Sequence, residues 1–239
     1  MFSAFLWGGL AAASLLVGYF LSERQLKNRT IGLVMGFGSG ALLSAIAYEL
    51  VPESQLQGIG MAGMLFLGAV SFFVADYAVD RRGGQDRKDI AGEGVGGSGS
   101  AIFIGTLLDN VPESMVLGMT LALGGAINVA LLAAVFISNL PEGLAGTVNL
   151  EAAGRSRGRI FWMWVVLVLI SAACAGLGYA LTFWLPSTDG RLAQAFAAGA
   201  MLTMLADAMM PEAFEHGGKM VGLFTVMGFL TAAVLAILQ

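Results

Sequence analysis

The sequence predicts an all-α integral membrane protein with eight transmembrane helices. Of its 239 residues, 57% are hydrophobic and only 12% are charged, and the mean hydropathy is +0.81. An average soluble domain carries about 25% charged residues, so this chain has too little polar surface to cover a globule in water. The composition excludes a soluble enzyme, and the net charge of −4 provides no basic surface for nucleic acid.

Eight apolar segments are long enough to cross a bilayer, because a helix needs about 20 residues to span the hydrocarbon core. In chain order the predicted spans are 3–22, 31–52, 59–79, 100–121, 126–147, 160–184, 191–213 and 219–238. We predict that residues 1–239 form a single transmembrane domain. The polar, glycine-rich segment 80–99 is predicted to be a flexible cytoplasmic loop between helices 3 and 4.

The basic residues predict how the chain is oriented in the membrane. All Lys and Arg residues except Arg191 fall in the loops that follow spans 1, 3, 5 and 7. Short loops rich in Lys and Arg remain on the cytoplasmic side, so we expect both chain termini to lie outside. With no transit peptide visible, the simplest expectation is a bacterial inner membrane, and a eukaryotic membrane stays open.

Two internal repeats predict an inverted architecture. Residues 40–54 (GALLSAIAYELVPES) align without gaps with residues 199–213 (GAMLTMLADAMMPEA), and residues 108–114 (LDNVPES) resemble residues 137–143 (ISNLPEG). The members of each pair belong to spans that run in opposite directions. Inverted repeats around interrupted helices are typical of transporters, and the interrupted helices indicate where the substrate binds.

The repeated motif in spans 4 and 5 predicts a cation site near the bilayer centre. Residues three and four apart share a helix face. The polar motif residues have this spacing in both spans: Asp109, Asn110 and Glu113 in span 4, and Ser138, Asn139 and Glu142 in span 5. Pro112 and Pro141 interrupt the helical hydrogen bonding beside them. Each buried carboxylate costs about 2.5–3.5 kcal/mol, and no basic residue lies in the interior of any predicted span. Either a metal cation bound by these oxygens or protons must therefore compensate; in the alternative, protonated acids serve only as packing contacts.

Further acids lie near the ends of two spans. Glu49 and Glu53 are at the outer end of span 2, and Asp207, Glu212 and His216 are at the inner end of span 7. We expect an entrance and an exit that concentrate cations. An equally open alternative is that these side chains simply reach water at helix ends, as a lone histidine such as His216 commonly does.

With these motifs, the sequence resembles the ZIP (Zrt-, Irt-like) family of divalent metal transporters. The family motif His-Asn-x-Pro-Glu-Gly corresponds here to residues 109–114, and its relative in span 5 to residues 138–143. The resemblance implies a first metal site and a second one bridged to it. The first would comprise Asp109, Glu113, Ser138 and Glu142, and the second Asn110, Glu113, Asn139 and Glu142. It also implies a three-two-three helix arrangement, a homodimer, and alternating access by sliding helix bundles.

Two departures from the family pattern bear on the metal. Asp109 stands where the family has histidine, and Ser138 stands where histidine or glutamine is usual. The remaining ligands are almost all oxygens, whereas zinc prefers nitrogen and sulfur. We therefore expect a lower preference for zinc relative to manganese, iron(II), cobalt or magnesium, and one well-formed site rather than two.

The predicted function is a divalent metal cation permease for the Zn, Mn, Fe, Co or Cd class. It would move the ion into the cytoplasm by alternating access through a carboxylate site between helices 4 and 5. Its expected partners are divalent cations and the lipid bilayer, with no cofactor besides the transported ion. The alternative is a ZIP-like metal-binding sensor or scaffold that does not transport. An intramembrane enzyme is not expected, because the sequence has no HExxH motif and no histidine in the apolar part of a span.

Overall fold

A computed structural model describes residues 1–24, 26–51, 59–84, 87, 99–124, 126–184 and 187–238. Every regular element in this part of the chain is helical. The helices are α1 (Phe2–Arg24), α2 (Asn28–Leu50), α3 (Ile59–Gly84), α4 (Gly99–Gly124), α5 (Val129–Ala152), α6 (Arg157–Trp184), α7 (Gly190–Gly217) and α8 (Met220–Ile237).

Seven of these helices, all except α4, have the length and hydropathy of membrane-spanning segments. The protein is thus an integral, multi-pass, all-helical membrane protein, as predicted. Helix α4 is long enough, with 26 residues, but Asp109, Asn110 and Glu113 lower its hydropathy. The one predicted span that lacks this hydropathy is therefore span 4, which bears the polar motif.

Helix α3 is longer than the sequence suggested. It continues past the predicted end at residue 79 and closes with a wide turn over Asp80–Gly84, in which Gly83 has a φ of 90°. A positive φ costs a glycine nothing, so the chain leaves the helix there. The prediction of a flexible loop concerns residues 80–99, of which 85, 86 and 88–98 lie outside the described residues.

The helices pack in pairs around the two that bear the motifs. Helix α4 packs on α6 and α7, while α5 packs on α1 and α2. Two further pairs, α2 with α8 and α3 with α7, complete the bundle. Helices α3 and α8 are the most accessible of the bundle, with only 22% of the spanning window of each buried, so their apolar side chains lie on its outer surface.

The internal sequence repeat has a counterpart in helix geometry. Helix α2 contains a widened π turn at Ile46–Leu50, and α7 contains one at the equivalent Leu205–Met209. Turns of this kind occur frequently at functional sites. In contrast, α4 and α5 remain continuous through Pro112 and Pro141. The irregular turns thus lie in the helices beside the motif helices, and not in spans 4 and 5 where interruption was expected.

Close glycine packing repeats in the same way. A Cβ atom added to Gly40 of α2 would lie 1.9 Å from the Thr225 carbonyl oxygen in α8. A Cβ atom at the equivalent Gly199 of α7 would lie 1.9 Å from the Leu65 carbonyl oxygen in α3. Small residues let membrane helices approach this closely. Equivalent residues therefore make equivalent contacts in the two halves of the bundle.

Candidate functional site on helices α4 and α5

All six predicted motif residues are buried, on two helices that contact each other. They are Asp109, Asn110, Glu113, Ser138, Asn139 and Glu142, and none is more than 2% exposed. Charged residues are almost never fully buried unless they are paired or hold an ion. Burial of three carboxylates here therefore requires pairing partners or a bound ion.

Neighbouring backbones fix the position of α5. A Cβ atom on Gly143 would lie 2.4 Å from the Leu15 carbonyl oxygen of α1. On the other side, a Cβ atom on Gly38 of α2 would lie 2.9 Å from the Ser138 Cα atom. Because glycine has no side chain, the backbones of α1 and α2 contact the backbone of α5 directly at the motif.

Two of the three neutral motif residues donate hydrogen bonds within their own helices. Asn110 donates from Nδ2 to the Thr106 carbonyl oxygen at 3.0 Å, and Ser138 donates to the Val135 carbonyl oxygen at 2.9 Å. Within the described residues, Asn110 Oδ1 and both polar atoms of the Asn139 amide have no hydrogen-bond partner. A buried polar atom without a partner costs about 1–3 kcal/mol. Their amide oxygens are suitable ligands for a hard cation.

Asp109 is paired with an arginine that sequence reasoning did not assign to the site. Arg87, only 2% exposed, donates from Nε to Asp109 Oδ2 at 3.0 Å. Its Nη2 lies 3.5 Å from Asp109 Oδ1. The expectation that only a metal ion or protons compensate the buried acids is therefore wrong for Asp109, because a residue of the predicted loop supplies the positive charge.

Arg87 is held by two further acids of α3. It donates from Nη2 to Asp76 and from Nη1 to Asp80 Oδ1, the latter at 2.9 Å, and from Nη1 to the Gly84 carbonyl oxygen at 3.2 Å. Burial alone lowers the pKa of Arg87, but Asp109, Asp76 and Asp80 raise it by more, so the net shift is upward. The guanidinium is thus charged at every physiological pH.

The signal that could have revealed this cluster was Asp76. It lies inside predicted span 3, and an intramembrane acid is by default a functional hypothesis. Asp76 and Asp80 are also four residues apart, and so share a helix face. No periodic pattern identifies Arg87, because it follows the end of the helix.

An acidic cavity lies beside Arg87, between α3 and α7. It has a volume of about 140 Å³ and is lined by Asp76, Asp80, Arg87, Asp207, Ala208, Pro211, Glu212 and Glu215. The predicted exit residues Asp207 and Glu212 therefore lie around the same space as the arginine. His216 does not line this cavity, and its Nδ1 pairs with Glu212 Oε1 at 3.0 Å.

Of the two predicted entrance residues, Glu49 lies within the described part of the chain. Glu49 lies in the wide turn of α2 and accepts a hydrogen bond from Asn128 Nδ2. Asn128 also caps α5, because its Oδ1 accepts from the Leu131 amide at 2.8 Å. Glu49 is therefore linked to the beginning of a motif helix, and Glu53 lies outside the described residues.

The acidic residues of the candidate site lie on different partner helices. Within the described part of the chain, no three His, Cys, Asp or Glu side chains are grouped closely enough to hold a metal ion. Asp109 faces Arg87, while Glu113 and Glu142 remain buried on α4 and α5. The two ligand sets implied by the family resemblance thus lie on adjacent, contacting helices.

Comparison with known proteins gives one informative similarity. No family model matches this chain. An Arabidopsis thaliana protein named "Putative zinc transporter" is 29% identical to it, over 80% of this chain and 31% of that protein. The chain accordingly spans about a third of the length of this relative.

Proposed function

We propose that the protein is a divalent metal cation permease with eight membrane spans in a three-two-three arrangement of inverted repeats. The observation that carries this proposal is the burial of Asp109, Glu113 and Glu142, with amide and hydroxyl oxygens beside them, on neighbouring membrane helices. Carboxylate and amide oxygens are the ligands of divalent cations. The similarity to a plant protein named as a zinc transporter supports the same class of cargo.

The geometry supports a carrier rather than an open pore. The polar motifs form a matched pair on α4 and α5, and the wide helical turns form a second matched pair on α2 and α7. Alternating access exposes one site to each side in turn by moving one repeat against the other. In this scheme cations enter past Glu49 and leave past Asp207 and Glu212 into the cytoplasm, with both chain termini outside.

The ligand chemistry predicts the order of cargo preference. The site offers oxygens only, which suit manganese and other hard cations, whereas zinc favours nitrogen and sulfur ligands. We therefore propose transport within the Zn, Mn, Fe, Co and Cd class, with manganese moved at least as well as zinc.

A second candidate function is a metal-responsive sensor or scaffold that does not transport. The observation that favours it is the pairing of Asp109 with Arg87, which engages one of the predicted ligands within the protein itself. A protein of this kind binds a divalent cation at equilibrium but moves none across the membrane.

Uptake into liposomes separates the two candidates. Purified protein is reconstituted, and uptake of manganese, iron(II), cobalt, zinc, cadmium and magnesium is compared with that of protein-free liposomes. The permease is supported by uptake that is lost in Glu113→Ala and kept in Glu151→Ala. Glu151 is the matched control because it is an exposed acid near the end of α5, paired with Arg157 at 2.7 Å.

Two other outcomes decide against the permease. Uptake that survives in Glu113→Ala, in folded protein, excludes the proposed site. Binding of manganese without uptake of any cation supports the sensor instead.

A further inference from the structure

We propose that Arg87 is a tethered counter-cation that occupies Asp109 in the metal-free protein, and that a divalent cation must displace it to use this carboxylate. This inference rests on the proposed transport function, since it concerns the same site. It assigns Arg87 a role in determining which cations load the site, beyond holding the fold together.

The first argument is the geometry at Asp109. One carboxylate oxygen lies 3.0 Å from Arg87 Nε and the other lies 3.5 Å from Nη2, so the guanidinium fork faces both oxygens. Charge-assisted hydrogen bonds from a guanidinium to a carboxylate are stronger than neutral ones. A metal ion bound to either oxygen would be a few ångströms from a second positive charge, which is strongly unfavourable in a buried site. Arg87 and cargo therefore exclude each other at Asp109.

The second argument is that Arg87 has a place to go. It follows the end of α3, and its partner Asp80 has a side chain that is 33% exposed. The cavity of about 140 Å³ next to it carries further acids, Asp207 and Glu212. A displaced guanidinium therefore remains among carboxylates. This lowers the free energy needed to move Arg87 away from Asp109, which binding of the divalent ion must offset.

The third argument concerns selectivity by charge. A monovalent ion brings no more charge than the guanidinium it would replace, and lacks its planar set of donors. A divalent ion doubles the attraction to Asp109. A site that is free only part of the time also binds its ligand more weakly, in proportion to the free fraction. Arg87 thus favours divalent over monovalent cations and lowers the apparent affinity for both.

Equilibrium binding tests the competition. Free manganese is measured by electron paramagnetic resonance in titrations of detergent-solubilised protein. We expect Arg87→Gln to lower the Kd for Mn²⁺ at least about tenfold, as a site occupied nine-tenths of the time would require. Arg87→Lys, which keeps the charge without the fork, should fall in between. The matched control is Arg82→Gln, an exposed arginine of α3, which should bind like the wild type.

A purely structural role for Arg87 makes the opposite prediction. Loss of a structural ion pair disorders the site, so the Kd for Mn²⁺ in Arg87→Gln would be unchanged or higher. Either result overturns the proposal.

Chemical labelling tests the displacement without any substitution, which covers the case in which Arg87→Gln does not fold. Phenylglyoxal reacts with accessible guanidinium groups, and mass spectrometry locates the modified residues. We expect Arg87 to be protected in metal-free protein and to become reactive when Mn²⁺ saturates it. Exposed Arg81 provides the reference whose reactivity stays constant.

The outcomes separate this inference from the proposed function. If manganese binds and is transported while Arg87 stays protected, the displacement is wrong and the permease stands. If neither wild-type protein nor Arg87→Gln binds or transports manganese, the proposed function fails and the inference falls with it.

Discussion

Arg87 and Asp109 form a buried ion pair, with Nε and Oδ2 3.0 Å apart, although Arg87 follows α3 and Asp109 lies in the middle of α4. The pair joins the segment between α3 and α4 to the motif that carries the proposed site. Arg87 also supplies the positive charge that the buried Asp109 carboxylate would otherwise need from a bound cation. The proposed displacement of Arg87 would link the stability of this pair to the loading of the site.

Substitution of Arg87 should destabilise the protein in the absence of metal. Arg87→Gln leaves Asp76, Asp80 and Asp109 without their shared cation, and breaking a buried pair costs about 3–5 kcal/mol. We expect a lower Tm in detergent than for wild type, and a larger rise in Tm when Mn²⁺ is added, because the ion supplies the missing charge. Arg82→Gln should change the free energy of unfolding by no more than about 0.5 kcal/mol, and so leave the Tm close to that of wild type. Equal Tm values for the two variants would contradict this prediction.

The two α3 acids should differ in importance. The Asp76 side chain is 3% exposed and the Asp80 side chain is 33% exposed, yet both pair with Arg87. Water screens the exposed pair, and such pairs contribute about 0–1 kcal/mol. Thermal unfolding should therefore show a greater loss of stability for Asp76→Asn than for Asp80→Asn. A larger effect of Asp80→Asn would mean that burial does not determine the strength of these contacts.

Much of the architecture could be predicted from the sequence, because membrane spans are encoded locally. Long apolar runs identify seven helices directly, and α4 was found by its length despite its polar motif. The burial of Glu113 and Glu142 follows from their place within such runs. These features depend on residues close together in the chain.

The location of Arg87 could not be predicted in this way. Basic residues between spans were interpreted as markers of orientation, and a contact between residues 87 and 109 depends on the path of the chain after Gly84. Asp76 was available as a signal and was not used. The wide turns of α2 and α7 fall at equivalent positions of the repeat 40–54 and 199–213, but they were not predicted.

The glycine contacts should be intolerant of any side chain. Gly40→Ala would place a Cβ atom 1.9 Å from the Thr225 carbonyl oxygen, so α2 and α8 would have to separate, at a cost of about 1–3 kcal/mol. Gly199→Ala should behave alike, because it meets the Leu65 carbonyl oxygen at 1.9 Å. Gly63→Ala on α3 has nothing within 4 Å and should be tolerated. Fluorescence-detected size exclusion after heating would rank the three, and similar profiles would refute the close packing.

The oxygen-only ligand set should govern metal preference. Asp109→His introduces a nitrogen ligand, which zinc favours, and should raise the ratio of zinc to manganese uptake in liposomes. Glu151→His is the control, because Glu151 is exposed, pairs with Arg157 and lies outside the motif. An unchanged ratio in Asp109→His, in protein that still transports, would show that residue 109 does not touch the cargo.

The most direct test of metal transport through α4 and α5 is manganese uptake by liposomes containing Glu142→Gln. This change removes one buried charge while preserving the shape of the side chain, and Glu151→Gln is its exposed counterpart on the same helix. We predict that Glu142→Gln abolishes uptake and that Glu151→Gln does not. Equal uptake by the two variants would contradict the assignment of the buried carboxylates as the path of the metal.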